Sequence, residues 1–208
     1  MWNFIQPIEE LHNIFNYLNK EIFASYLPLP SITIQSRGKR NALGWCSNVP
    51  IWLDNDNKDT RHEINICAEN SNMLVVDIVE IMLHEMVHYY ADLQGIKTTS
   101  RNGTFHNKNY KQYAEKFGLI VTKTEKYGYA ETKLNDATLN KVKDLNFKQE
   151  VFLLYRINDE GKVSKKKGSI KHTCPDCGNV ARSTKEMKLI CGNCETEMDN
   201  NADEMDDN

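Results

Sequence analysis

No stretch of this 208-residue chain is apolar for the length of a membrane span, which argues against a helical membrane protein. Its start, Met1-Trp2-Asn3-Phe4-Ile5, has neither the basic opening nor the apolar stretch of a secretory signal. The expected location is therefore cytoplasmic, free or associated with the nucleoid, with no membrane partner. There is no internal repeat. Residues 195–208 hold no Lys or Arg and seven acidic side chains, and they read as an acidic disordered tail. Taking those seven away from a formal net charge of −3 leaves the body at +4. Residues 161–190 contain no Phe, Trp or Tyr, so base stacking has little support there. What that stretch does contain is eight Lys or Arg against Asp176 and Glu186, a local balance of +6. Such a patch favours sequence-independent contact with DNA phosphates, and Lys165, Lys166, Lys167, Lys171 and Arg182 are the candidate contacts. A face of solvated lysines is the plainer reading of the same run.

The strongest signal is His84-Glu85-Met86-Val87-His88, set inside the apolar stretch 73–90. Residues four apart on a helix leave the same face, so two neutral imidazole nitrogens can hold one zinc ion. Glu85, one step from the first ligand, can then reach a water on that zinc as general base. An apolar helix should not bury two His and a Glu without partners, because unpaired buried polar groups are costly. Two core histidines bonded to carbonyls would be the structural alternative.

Four of the six cysteines form two pairs, Cys174/Cys177 and Cys191/Cys194, with the spacing Cys-x2-Cys-x13-Cys-x2-Cys. Four thiolates make a closed tetrahedron with no open vertex, so this site is read as a structural zinc in a C-terminal ribbon. Val180-Ala181-Arg182 and Lys188-Leu189-Ile190 are its expected strands. His172 reads as a strand residue, and Cys46 and Cys67 as plain buried thiols.

Apolar spacing predicts a helix over 5–24, ended by Pro28 and Pro30. Strands are expected over 31–35, 42–46 and 63–67, with a loop over 54–60. Ser71 or Asn72 is the expected cap of the metal helix, and Gly95 its stop. A further helix is expected from near His106 to Phe117, a short one over 136–145, and a strand over 151–155. This order gives an α+β fold, a small antiparallel sheet packed on helices. The expected division is a catalytic domain over 1–122, a connecting segment over 123–160, the zinc ribbon over 161–194 and the tail over 195–208.

A catalytic zinc usually takes three protein ligands and leaves one vertex to water. Ala91 and Gln94 exclude the class with a third His six residues after the second. Glu115 and Glu125 remain as candidates. His106 is a better one, since it opens the next predicted helix after a loop long enough to turn back, and a capping or surface role is its alternative. The oxyanion donor is open among His62, Tyr89, Tyr90 and Tyr110.

His84-Glu85-Met86-Val87-His88, His106-Asn107-Lys108-Asn109-Tyr110 and Ala114-Glu115-Lys116-Phe117-Gly118-Leu119 together resemble the SprT-like zinc metalloproteases. Those include the Spartan proteases that degrade proteins crosslinked to DNA. Asn41-Ala42-Leu43-Gly44-Trp45, His62-Glu63-Ile64 and the C-terminal ribbon are similar to the bacterial members. The resemblance covers 31–119 well and 174–194 in kind. It departs at Asn107, where many relatives have Gly. It implies a zincin-like minimal metalloprotease, with His84, His88 and His106 as zinc ligands and Glu85 as base. It also implies a DNA-associated endopeptidase that cuts proteins bound or crosslinked to DNA. A DNA-binding adaptor that keeps its metal site without proteolysis is the alternative, and a hydrolase of another class is a third.

Overall fold

A computed structural model describes residues 5–37, 42–56, 58–143, 145–157, 170–183 and 185–201. The chain divides into two compact units, Met1–Asn158 and Asp159–Asn208. The first is a mixed α+β body. No helix among the described residues is long and apolar enough to cross a membrane.

Helix α1 (Ile5–Ile22) buries Leu11, Ile14, Phe15 and Leu18, the expected 3.6-residue stripe. It stops before the prolines. Asn19 turns its side chain back to hold both backbone groups of Leu27, and Ala24 and Ser25 take positive φ. The three strands expected near the N-terminus form: β1 (Ser31–Gln35), β2 (Gly44–Cys46) and, after the short hairpin β3 (Trp52–Leu53) and β4 (Thr60–Arg61), strand β5 (Glu63–Cys67). Their sheet has the order β1-β5-β2 and is mixed, not antiparallel throughout: β1 runs parallel to β5, and β2 antiparallel. Ile64 and Ile66 point into the core, so one sheet face packs on helix α2 (Val75–Leu93).

Helix α2 starts later than its sequence caps imply. Leu74 is the N-cap residue and gives no side-chain bond. Ser71 Oγ instead lies 2.9 Å from the Ala68 carbonyl and 2.5 Å from that of Leu154. The free amide of Val75 is satisfied from far along the chain, by Gln149 Oε1 at 2.6 Å. At the other end Gly95 adopts a φ of +67°, as a helix stop requires.

Four further strands follow α2: β6 (Thr99–Ser100), β7 (Phe105–His106), then after helix α3 (Lys108–Lys116) strands β8 (Leu119–Thr124) and β9 (Gly128–Leu134). They form a second mixed sheet, order β6-β7-β9-β8. His106 thus lies on a strand two residues before α3, not on the helix expected to open with it. Asn107 caps α3, its side chain accepting from the amides of Asn109 and Tyr110. Helix α4 (Asp136–Lys143) packs on α2.

The segment 123–160 is therefore not a connector: as far as residue 157 it supplies β9, α4 and the cap of α2 to the first unit. The strand expected over 151–155 is absent. Residues Gln149–Val151 make a 3-10 turn, Phe152 drops into the core with Val151 partly buried against it, and the Arg156 amide bonds to Ala68 O. With its backbone bound to the 68–71 turn, this stretch has no ladder to join.

The second unit holds a three-stranded antiparallel sheet of β10 (Ile170–Thr173), β11 (Val180–Ser183) and β12 (Asp199–Asn201), order β11-β10-β12. Lys188-Leu189-Ile190 is not a strand; Ile190 makes a single bridge to Glu197. The sheet's centre is the residue 170–173 stretch, with His172 wholly buried on it. The start of the acidic tail is part of this unit: Met198 packs on Cys174 and Cys191, and β12 pairs with β10. Residues 202–208, and Lys165, Lys166 and Lys167, lie outside the described residues.

Candidate metal centres

Helix α2 turns His84 and His88 toward His106 on β7 and Glu85 toward β2. His106 Nε2 lies 3.2 Å from His84 Nε2 and 3.0 Å from His88 Nε2. A tetrahedral zinc with bonds of about 2.0–2.1 Å holds two nitrogens about 3.3 Å apart, so this spacing fits one ion. The proton count points the same way. His84 Nδ1 faces Thr132 Oγ1 at 3.2 Å, and His88 Nδ1 faces Thr98 Oγ1 at 2.8 Å. With protons on those Nδ1 atoms, two Nε2 lone pairs meet at His106, and one ring proton cannot serve both. A cation resolves that conflict. Burial, reinforced by the neighbouring rings, holds His84 well below its usual range and His88 near 3. Burial takes His106 to about 4, against the opposing pull of the Tyr127 backbone carbonyl on its ring. All three are neutral at pH 7 and ready to ligate.

Two close backbone approaches locate this cluster. A Cβ on Gly44 would lie 2.7 Å from Asn65 O and 2.9 Å from Ile81 Cγ2, with Glu85 Cγ at 3.4 Å, so only glycine lets β2 press on α2. Gly128 pairs with His106, has a φ of +67°, and leaves 2.2 Å between an added Cβ and His106 O. Glu85 is 6% exposed, and burial raises its carboxyl to about 8 against an opposing hydrogen bond from the Cys46 backbone. A cleft of ≈ 350 Å³ opens beside His88, walled by Cys46, Ser47, Asn48, Asp92 and residues 95–99. Cys46 is partly buried, packed against the core at the wall of the cleft, and Cys67 is fully buried as expected.

None of the four expected oxyanion donors faces this cleft. Tyr110 is wholly buried beneath the imidazoles, its ring stacked on His88 at 4.5 Å, and its hydroxyl has no partner. His62 is buried with Nδ1 2.9 Å from Ser47 O, and it stacks on the buried Tyr89. Tyr90 packs among Phe23, Tyr26, Tyr113 and Phe117. Glu115 pairs with Lys111 on the surface of α3. Sequence reading missed Thr98 and Thr132, for which no local pattern exists.

Cys174, Cys177, Cys191 and Cys194 bring their sulfurs within 4.8 Å of one another, and Cys177 and Cys191 are 3.6 Å apart. Zinc–sulfur bonds of about 2.3 Å place two sulfurs about 3.8 Å apart, so this cluster fits one ion as well. The backbone amides of Asn193 and Cys194 draw the Cys191 thiol down to about 6, toward the thiolate that a metal requires. Lys171 and Arg182 stand directly opposite each other on β10 and β11. Comparison with protein-family models, with curated proteins and with solved structures gives no match.

Proposed function

We propose that this chain is a zinc-dependent endopeptidase of the SprT-like kind, with one catalytic and one structural zinc. The observation that carries the reading is the meeting of three imidazole nitrogens on and beside the helix that also buries Glu85, with His88 at the wall of a cleft. His84, His88 and His106 would hold the zinc, which would acidify a water toward a pKa of about 7 and polarise the scissile carbonyl. Glu85 accepts a proton from the attacking water and passes it to the leaving amine. Its raised pKa makes it a reluctant anion when metal-free, and a nearby dication returns it to the ionised form a base needs. Cys174, Cys177, Cys191 and Cys194 hold the structural ion.

The substrate in this reading is protein bound or crosslinked to DNA, and the ribbon locates the enzyme on DNA without reading sequence. Lys171 and Arg182, opposite each other on β10 and β11, are the phosphate contacts in this reading, with Lys165, Lys166 and Lys167 joining them by sequence. Purified protein is expected to carry two zinc equivalents, falling to one in His106→Ala. Glu85→Gln is expected to keep both and cleave nothing. Unchanged cleavage in Glu85→Gln sinks the mechanism. Biological activity that survives Glu85→Gln but not loss of the four cysteines selects the adaptor reading.

A further inference from the structure

Two segments back this cluster, each holding one imidazole of α2 by its Nδ1 and the backbone at or next to His106. Thr98 follows the reversal at Gly95. Its hydroxyl oxygen is 2.8 Å from His88 Nδ1, and its carbonyl accepts from the Asn107 amide at 2.9 Å, next to His106. Strand β9 does the same on the other side. Thr132 Oγ1 is 3.2 Å from His84 Nδ1, Gly128 pairs with His106, and the Tyr127 carbonyl accepts from the His106 amide at 2.9 Å. An imidazole that ligates through Nε2 must carry its proton on Nδ1, and that proton needs an acceptor. Thr98 is only 8% exposed, so water is a poor substitute there.

From this geometry we infer that Thr98 and Thr132 are positioning residues of the metal centre, fixing His88 and His84 as Nδ1–H tautomers whose Nε2 atoms face the metal. Both acceptors are neutral hydroxyls. They orient the rings without adding negative charge to a site that must draw a proton from water. The inference rests on the metal reading of this cluster and adds residues 119–134 to its working parts.

The test uses the full chain and zinc alone as probe. Zinc affinity of the three-histidine site is measured by competition with a chromophoric chelator for Thr98→Val and Thr132→Val, which keep side-chain shape and remove the acceptor. Each is expected to weaken binding about 10- to 100-fold, and Thr98→Ser and Thr132→Ser to restore it to within a few-fold of the parent. A merely structural role would not separate serine from valine. Should a valine variant fail to fold, the imidazole nitrogen resonances of the zinc-loaded parent decide. Protonated Nδ1 on His84 and His88 supports the inference, and Nδ1 ligation by either overturns it. Valine variants that hold zinc as tightly as the parent also overturn it. A stoichiometry unchanged by His106→Ala removes the metal reading itself, a different failure from an intact site indifferent to the threonines.

Discussion

Glu85 and the three histidines make the metal-free protein sensitive to pH in opposite directions. The Glu85 carboxyl, raised to about 8, keeps its proton in the fold over a range where an unfolded chain has lost it. Its contribution to stability is complete below the ordinary carboxyl range and is lost as pH rises through about 8. The imidazoles are depressed, to about 3 for His88 and about 4 for His106. Their contribution is present above the usual imidazole value and is lost as pH falls toward those numbers. Three groups act on the acid side and one on the alkaline side, so metal-free protein should be most stable near about pH 6.5. Urea midpoints across pH check this. Glu85→Gln should flatten the alkaline limb between about pH 6.5 and 8, by about 2 kcal/mol at about 1.4 kcal/mol per pKa unit, and steepen the acid limb, where Glu85 otherwise opposes the imidazoles. These two behaviours were half legible in the sequence. The His-Glu-x-x-His spacing gives the residues, but the burial that shifts them depends on β2 and β7, which no local pattern brings to α2.

At the scale of elements, two strands decide where the site can form. Strand β9 approaches β7 too closely for any side chain at residue 128. Gly128→Ala should displace His106, lower the stability of the first unit by about 1–3 kcal/mol and lower its zinc affinity, seen by denaturation and by chelator competition. Glu63 secures the hairpin of β3 and β4. Its buried carboxylate accepts from Trp45 Nε1 at 3.1 Å, from Trp52 Nε1 at 2.9 Å and from Gln35 Nε2 at 3.0 Å. Glu63→Ala strands these donors and should cost about 2–3 kcal/mol, with a red shift in the emission of Trp52 as its indole moves into water. Helices α1, α2 and α3 could be read from apolar spacing and stop signals to within a few residues. The parallel pairings of β1 with β5 and of β7 with β9 could not, because alternation in a short strand says which face is buried but not which neighbour it pairs with. The stretch 151–155 was misread for a related reason. Val151-Phe152-Leu153-Leu154-Tyr155 has strand composition, yet its start is bonded within the 3-10 turn and Leu154 to Ser71, not to a neighbouring strand.

For the whole molecule, the two units have separate cores, one of aliphatic and aromatic side chains and one gathered on Cys174, Cys191 and Met198. Cys191→Ser should therefore release one zinc and unfold the ribbon while the first unit keeps its melting transition, as read by calorimetry beside zinc analysis. If the ribbon touches DNA through phosphates, Lys171→Glu with Arg182→Glu should weaken binding evenly across sequences and flatten its salt dependence. Both cysteine pairs were plain in the sequence because metal-ligand spacing is local. The limit of the first unit was not. Residue 122 looked like an end because apolar periodicity weakens after it, whereas the chain returns to α2 through Thr132 and Gln149.

That return governs when the site can come into being. Gln149 tethers the start of α2 by two bonds, accepting from Val75 N at 2.6 Å and donating to Met73 O at 3.2 Å. During synthesis, a nascent chain still hidden in the ribosome beyond residue 122 has its histidines outside but lacks the rest of the clamp around them. The three-histidine cluster consequently rests on chain made after it, and its geometry is complete only once Thr132 and Gln149 are in place.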